Sequence, residues 1–102
     1  MMNEFRHDKV AVLKAFDKRI TEYRAVLAKL TPKHHQAETL QEANERSYNL
    51  LLRCFEKETA DAYIITLSKE GVGKGDWVLE RRLKIKRAIS ELHRLRKIYQ
   101  DT

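Results

Sequence analysis

The chain has 102 residues, 21 of them lysine or arginine against 15 aspartate or glutamate, a net charge of +6, and 42% hydrophobic residues. That length holds one domain, three glycines and one proline are too few for a sandwich or barrel, and the apolar fraction is too high for a disordered chain. A single cysteine excludes an internal disulfide and points to a reducing compartment, no run reaches the roughly 18 apolar residues of a membrane span, and the amino terminus lacks the apolar core of a secretory signal, so a cytoplasmic protein is expected.

Breakers fall at Thr31-Pro32 and in the glycine-rich stretch 70–76, which divides the chain into three predicted helices at about 4–30, 32–69 and 77–100 within one domain, 1–102. In the first, Leu13, Phe16, Ile20, Tyr23, Leu27 and Leu30 are spaced alternately by three and four. This is a heptad seam, the pattern that winds helices around one another. Asn3 is a candidate N-cap. Thr31-Pro32 then reads as a cap followed by proline at the first helical position, which makes a short connection to an antiparallel neighbour.

The second predicted helix runs to about residue 69 with no glycine or proline. At ~1.5 Å per residue it is the longest, near 54 Å, with a polar patch at Glu56-Lys57-Glu58-Thr59 where it bends or breaks. Its stripe, through Leu40, Ala43, Ser47, Leu51, Cys54 and Phe55, is thinner and contains polar residues. Asn44, Ser47 and Asn49 lie in or near that seam, and a buried asparagine fixes register and oligomeric state at a cost in stability. Tyr63, Ile64, Ile65 and Leu67 supply apolar surface towards its end. Asp76 reads as the N-cap of the third helix, before Trp77-Val78-Leu79.

Charge is unevenly divided. Residues 32–76 carry eight acidic and six basic groups, whereas residues 77–102 carry eight basic and three acidic ones. The last helix either lies along the acidic middle helix, which bears Glu38, Glu42 and Glu45 on one edge, or offers its basic face to phosphates. The candidate nucleic-acid residues are Arg81, Arg82, Lys84 and Lys86, with Arg87, Arg94 and Lys97.

Motifs for chemistry are lacking. Gly71-Val72-Gly73-Lys74-Gly75-Asp76 has neither the spacing nor the serine or threonine of a Walker loop, and its aspartate repels phosphate, so it reads as a helix connection. His34 and His35 are adjacent and point about 100° apart on a helix, which is no metal pair. Cys54 reads as a small buried residue. No enzyme, cofactor or metal is expected.

The expected fold is all-α, an antiparallel three-helix bundle or coiled-coil hairpin with a long middle helix whose overhang leaves apolar surface bare. The expected function is that of a non-catalytic oligomeric interaction protein: an adaptor, a chaperone-like cofactor or a regulator of a larger assembly. Its partners are a second copy or another protein, met through Leu13, Phe16, Ile20, Tyr23 and Leu27 on the first helix and Tyr63, Ile64 and Leu67 on the second. The alternative is a small basic nucleic-acid-binding protein whose last helix follows the phosphate backbone.

Overall fold

The computed structural model describes residues 9–68 and 76–102. The described residues are helical throughout apart from short connections, and contain no strand. The described residues form four helices: α1 (Lys9–Lys29), α2 (Ala37–Cys54), α3 (Lys57–Ser68) and α4 (Trp77–Asp101). Asn3 and most of the glycine-rich connection lie outside the described residues.

Two expected boundaries are corrected. The second predicted helix, 32–69, does break, just ahead of and into its polar patch at Glu56-Lys57-Glu58-Thr59, and is two. Phe55 adopts extended φ −132°, ψ 172°, and the Glu56 carbonyl accepts from Thr59 and Ala60 to start α3 afresh. The physical reason is visible at Phe55: its ring meets Tyr99 of α4 edge-on at 6.2 Å, and Tyr99 in turn lies 6.3 Å from Phe16 of α1. Leaving the helix carries one aromatic inward while Glu56, Lys57 and Glu58 stay in water.

The other correction is at Thr31-Pro32, which caps no helix. Thr31 and His34 exchange backbone hydrogen bonds, and the Thr31 hydroxyl accepts from the His34 N–H at 3.0 Å. The threonine side chain is spent on this turn, so α2 starts five residues after Pro32, behind Gln36 at φ 58°. A non-glycine residue in the left-handed region costs of order 1 kcal/mol. His34 and His35 consequently sit in the linker rather than in a helix, both exposed. By contrast Asp76 does cap α4, accepting from the Leu79 N–H at 3.1 Å.

One core joins all four helices. α1 contributes Val12, Phe16, Ile20, Tyr23 and Val26, and Leu30 follows it; α2 adds Ala43, Leu50 and Leu51, α3 adds Ala60, Tyr63 and Leu67, and α4 adds Ile85, Ala88, Leu92 and Leu95. Small residues at Ala43, Ser47, Ala60 and Ala88, all at 0% exposure, let the helix backbones approach closely around the large rings of Phe16, Tyr23 and Tyr63. α1 and α4 run in opposite directions: Asp17 pairs with Arg96, and further along α1 Arg24 meets His93. The buried stripe of α1 passes through Val12 and Val26, leaving Leu13 and Leu27 half-buried beside it. The helix packs against both α2 and α4 and therefore needs a wider face than a two-helix seam.

Candidate functional site

α2 carries a mixed polar and apolar stripe besides its buried one. Gln41, Glu45, Tyr48 and Leu52 fall at i, i+4, i+7 and i+11, a second stripe on the side of α2 turned away from α1. On α3, Asp61, Ile64 and Ile65 share the facing side. Between these stripes lies an open groove of about 740 Å³, lined by Gln41, Asn44, Glu45, Tyr48 and Asn49 from one helix and Asp61, Ile64 and Ile65 from the other. Ile65 stands on its rim, 62% exposed, and Leu52, 41% exposed, lies one turn beyond Tyr48.

The groove walls are pinned together. Tyr48 donates its hydroxyl proton to Asp61 Oδ1 at 2.7 Å, and Lys57 Nζ donates to Asp61 Oδ2 at 2.7 Å. Lys57 first, and Tyr48 after it, hold the Asp61 carboxyl below the usual carboxylate range. The same contact with Asp61 raises the Lys57 ammonium and the Tyr48 phenol. The aspartate is thus a neutralised clamp between α2 and α3.

Behind the groove floor is a buried polar chain. Tyr63 donates to the Tyr23 hydroxyl at 2.8 Å, and Tyr23 donates to Asn44 Oδ1. Burial pushes both phenols above their ordinary range. Because Asn44 spends its oxygen inward, its amide N–H donors are left for the groove. Ser47 is fully buried beside the two tyrosines, and its hydroxyl has no partner in hydrogen-bonding geometry.

The eight residues expected to form a protein interface divide sharply. Phe16, Ile20, Tyr23, Tyr63 and Leu67 pack into this chain's own core, while Leu13 and Leu27 are half-buried. Of the eight, Ile64 alone lines the groove. Of the apolar surface expected to be bare near the end of the second predicted helix, Ile65 alone is exposed; Ile64 is half-buried against the core, and Tyr63 and Leu67 are buried.

The candidate nucleic-acid residues also separate. Arg82 and Lys86 are exposed, with no ionic partner among the described residues. Lys97 is exposed and reaches Asp101 only at 3.7 Å. Arg94 is held by Glu91 at 2.8 Å. Arg81 donates to the His35 carbonyl and lies 5.1 Å from the Trp77 ring centroid. Lys84 is half-buried on another side of the helix, and Arg87 is engaged. None of the ion pairs between described residues joins α4 to α2, so the basic helix does not neutralise the acidic edge within one chain.

Burial pushes the half-buried Cys54 thiol up to about 11, and it donates to the Leu50 carbonyl at 3.1 Å. Such a thiol is a poor nucleophile. Among the described residues no three histidine, cysteine, aspartate or glutamate side chains are placed to hold a metal ion. No described helix is long and apolar enough to cross a membrane. Comparison of the chain with protein-family models, with curated proteins and with solved structures finds no match.

Sequence reasoning passed over Tyr48, Leu52 and Asp61. The second stripe of α2 was readable by periodicity; the facing stripe of α3 was not, because its angle to α2 depends on the break at Phe55.

Proposed function

We propose that this protein is a non-catalytic, self-associating helical interaction protein whose α2–α3 groove receives the same groove of a second copy. The observation that carries this reading is the exposed Ile65 rim beside an apolar hollow edged by amides. A two-fold contact brings each patch against itself, so the patch must complement itself. Amide side chains do so, since each both donates and accepts. Gln41 and Asn49 are exposed on the rim, and Asn44 retains its donors. Apolar rims at Ile65 and Leu52 supply the driving force, and the amides fix the register, as a polar residue does in a helix seam.

Charge opposes this at one point only. Asp61 is neutralised by Lys57, and Glu42 is paired with Arg46 at 3.3 Å. Glu45 is the groove carboxylate left without an ionic partner among the described residues. Two copies meeting here therefore bring together one unpaired carboxylate each, the Glu45 pair, and no other uncompensated groove charge.

A photo-crosslinking residue placed at position 65 tests the assignment. Irradiation is expected to give a covalent dimer, and the same residue at the exposed Thr21 of α1 is expected to give none. Equal yields from both positions, or none from position 65, would contradict the proposed face.

A further inference from the structure

The solvent side of α4 shows a second feature, independent of the groove. Arg82, Lys86, His93 and Lys97 lie at i, i+4, i+11 and i+15, which is one line along the helix. At ~1.5 Å per residue the line is about 22 Å long. Arg24 joins it from α1: its guanidinium donates to His93 Nε2 at 3.4 Å, across the seam between the two helices. Two groups that carry positive charge or attract protons are thus held together with no carboxylate between them. Glu91 is the one carboxylate in the sequence between Arg82 and Lys97. It faces the α3 side instead, where it lines a hollow with Tyr63 and Leu95 and holds Arg94.

From this we infer that the α1–α4 seam is a binding strip for the phosphate backbone of a nucleic-acid duplex. A straight, rigid row of about 22 Å matches roughly six base pairs of phosphates at ~3.4 Å each. The strip lacks the aromatic rings on which unpaired bases stack. Trp77, the first residue of α4, lies off the row on another side of the helix, with the His35 ring at 4.3 Å and Arg81 against it. The bulky apolar residue in the row, Ile89 at i+7, is half-buried against the core rather than free to insert into a lipid surface. What remains is backbone recognition: positive charge spaced along one line, indifferent to sequence, driven by release of counterions. Arg82 and Lys86 give it charges not already committed to a carboxylate among the described residues, and Arg24 with His93 gives it a hydrogen-bonding pair at mid-length.

Fluorescence anisotropy of a labelled, mixed-sequence DNA duplex tests this, read at several salt concentrations from about 50 mM upward. The full chain is expected to bind, with affinity falling steeply as salt rises. Arg82→Gln/Lys86→Gln is expected to weaken binding tenfold or more and to reduce the log–log salt slope by about 2, one for each lost phosphate contact. Arg24→Gln is expected to weaken it less. The charge-matched variant Lys18→Gln/Arg53→Gln, altered in a hollow between α1 and α2, is expected to bind nearly as the parent does. Circular dichroism checks that each variant is folded. The Ile65→Asp chain is expected to retain duplex binding per protomer, which separates this strip from the self-association face. Absence of binding at the lowest salt, equal loss in the charge-matched variant, tighter binding to the unpaired strand, or equal binding to vesicles of phosphatidylserine and phosphatidylcholine would each overturn the inference.

Discussion

Tyr63 donates its hydroxyl proton to Tyr23, forty residues earlier, at 2.8 Å inside the core. The bond ties α3 to α1, and Tyr23 passes the chain on to Asn44 of α2. Three helices are thus joined through two phenols and an amide that also forms part of the groove floor. Replacing Tyr23 by phenylalanine leaves the Tyr63 proton and the Asn44 oxygen without partners, with an expected cost of about 2–3 kcal/mol in urea unfolding. Tyr63→Phe is expected to cost about 1 kcal/mol, because Tyr23 still donates to Asn44. The double variant should cost less than the two singles together, since the residues share one network.

Ser47 behaves differently. Its hydroxyl is buried and unsatisfied, so Ser47→Ala removes a penalty rather than a bond. Urea unfolding is expected to show the alanine variant as stable as the parent, or up to about 1 kcal/mol more stable. A loss above that size would mean that the hydroxyl is satisfied in solution.

Much of this fold was legible in the sequence. Phe16, Ile20 and Tyr23 announced a buried face by their spacing, and Asp76 announced a cap. The exchange of Leu13 and Leu27 for Val12 and Val26 was not legible, because the direction of burial on α1 depends on having neighbours on two sides. Thr31 was misread for a related reason. A threonine hydroxyl serves a turn as readily as a helix end, and the choice is made by chain that follows. The polar patch after Phe55 marked where the second predicted helix could break, but the aromatic partner that Phe55 meets in α4, more than forty residues on, has no local signature. The groove inherits that difficulty: the face of α2 could be read, but its partner face could not.

The Asp61 clamp makes stability depend on pH in a definite window. Its carboxyl titrates lower in the folded chain than in the unfolded one, so it stabilises the fold above the unfolded value, about 3.9. That contribution is lost as pH falls from about 4 through the folded value. Chemical unfolding measured from neutral to acid pH is expected to show a steeper acid loss in the parent than in Asp61→Asn. Identical pH profiles would show that Asp61 does not couple α2 to α3.

Cys54 is expected to be sluggish. With its thiol pushed up to about 11, the thiolate fraction at pH 8 falls on the order of a hundredfold below that of an ordinary cysteine. A colorimetric disulfide reagent should label it slowly in the folded chain and rapidly after denaturation. Fast labelling of the folded chain would show that the thiol is neither half-buried nor bonded to Leu50.

Self-association through the α2–α3 groove is tested most directly by sedimentation equilibrium of the parent chain and of Ile65→Asp across a wide concentration range. Ile65 is exposed in the single chain, so the aspartate is expected to leave the helical content intact. The account predicts a monomer–dimer equilibrium for the parent and a monomer throughout for the variant. A parent that stays monomeric at the highest concentration, or a variant that dimerises as strongly as the parent, would contradict it.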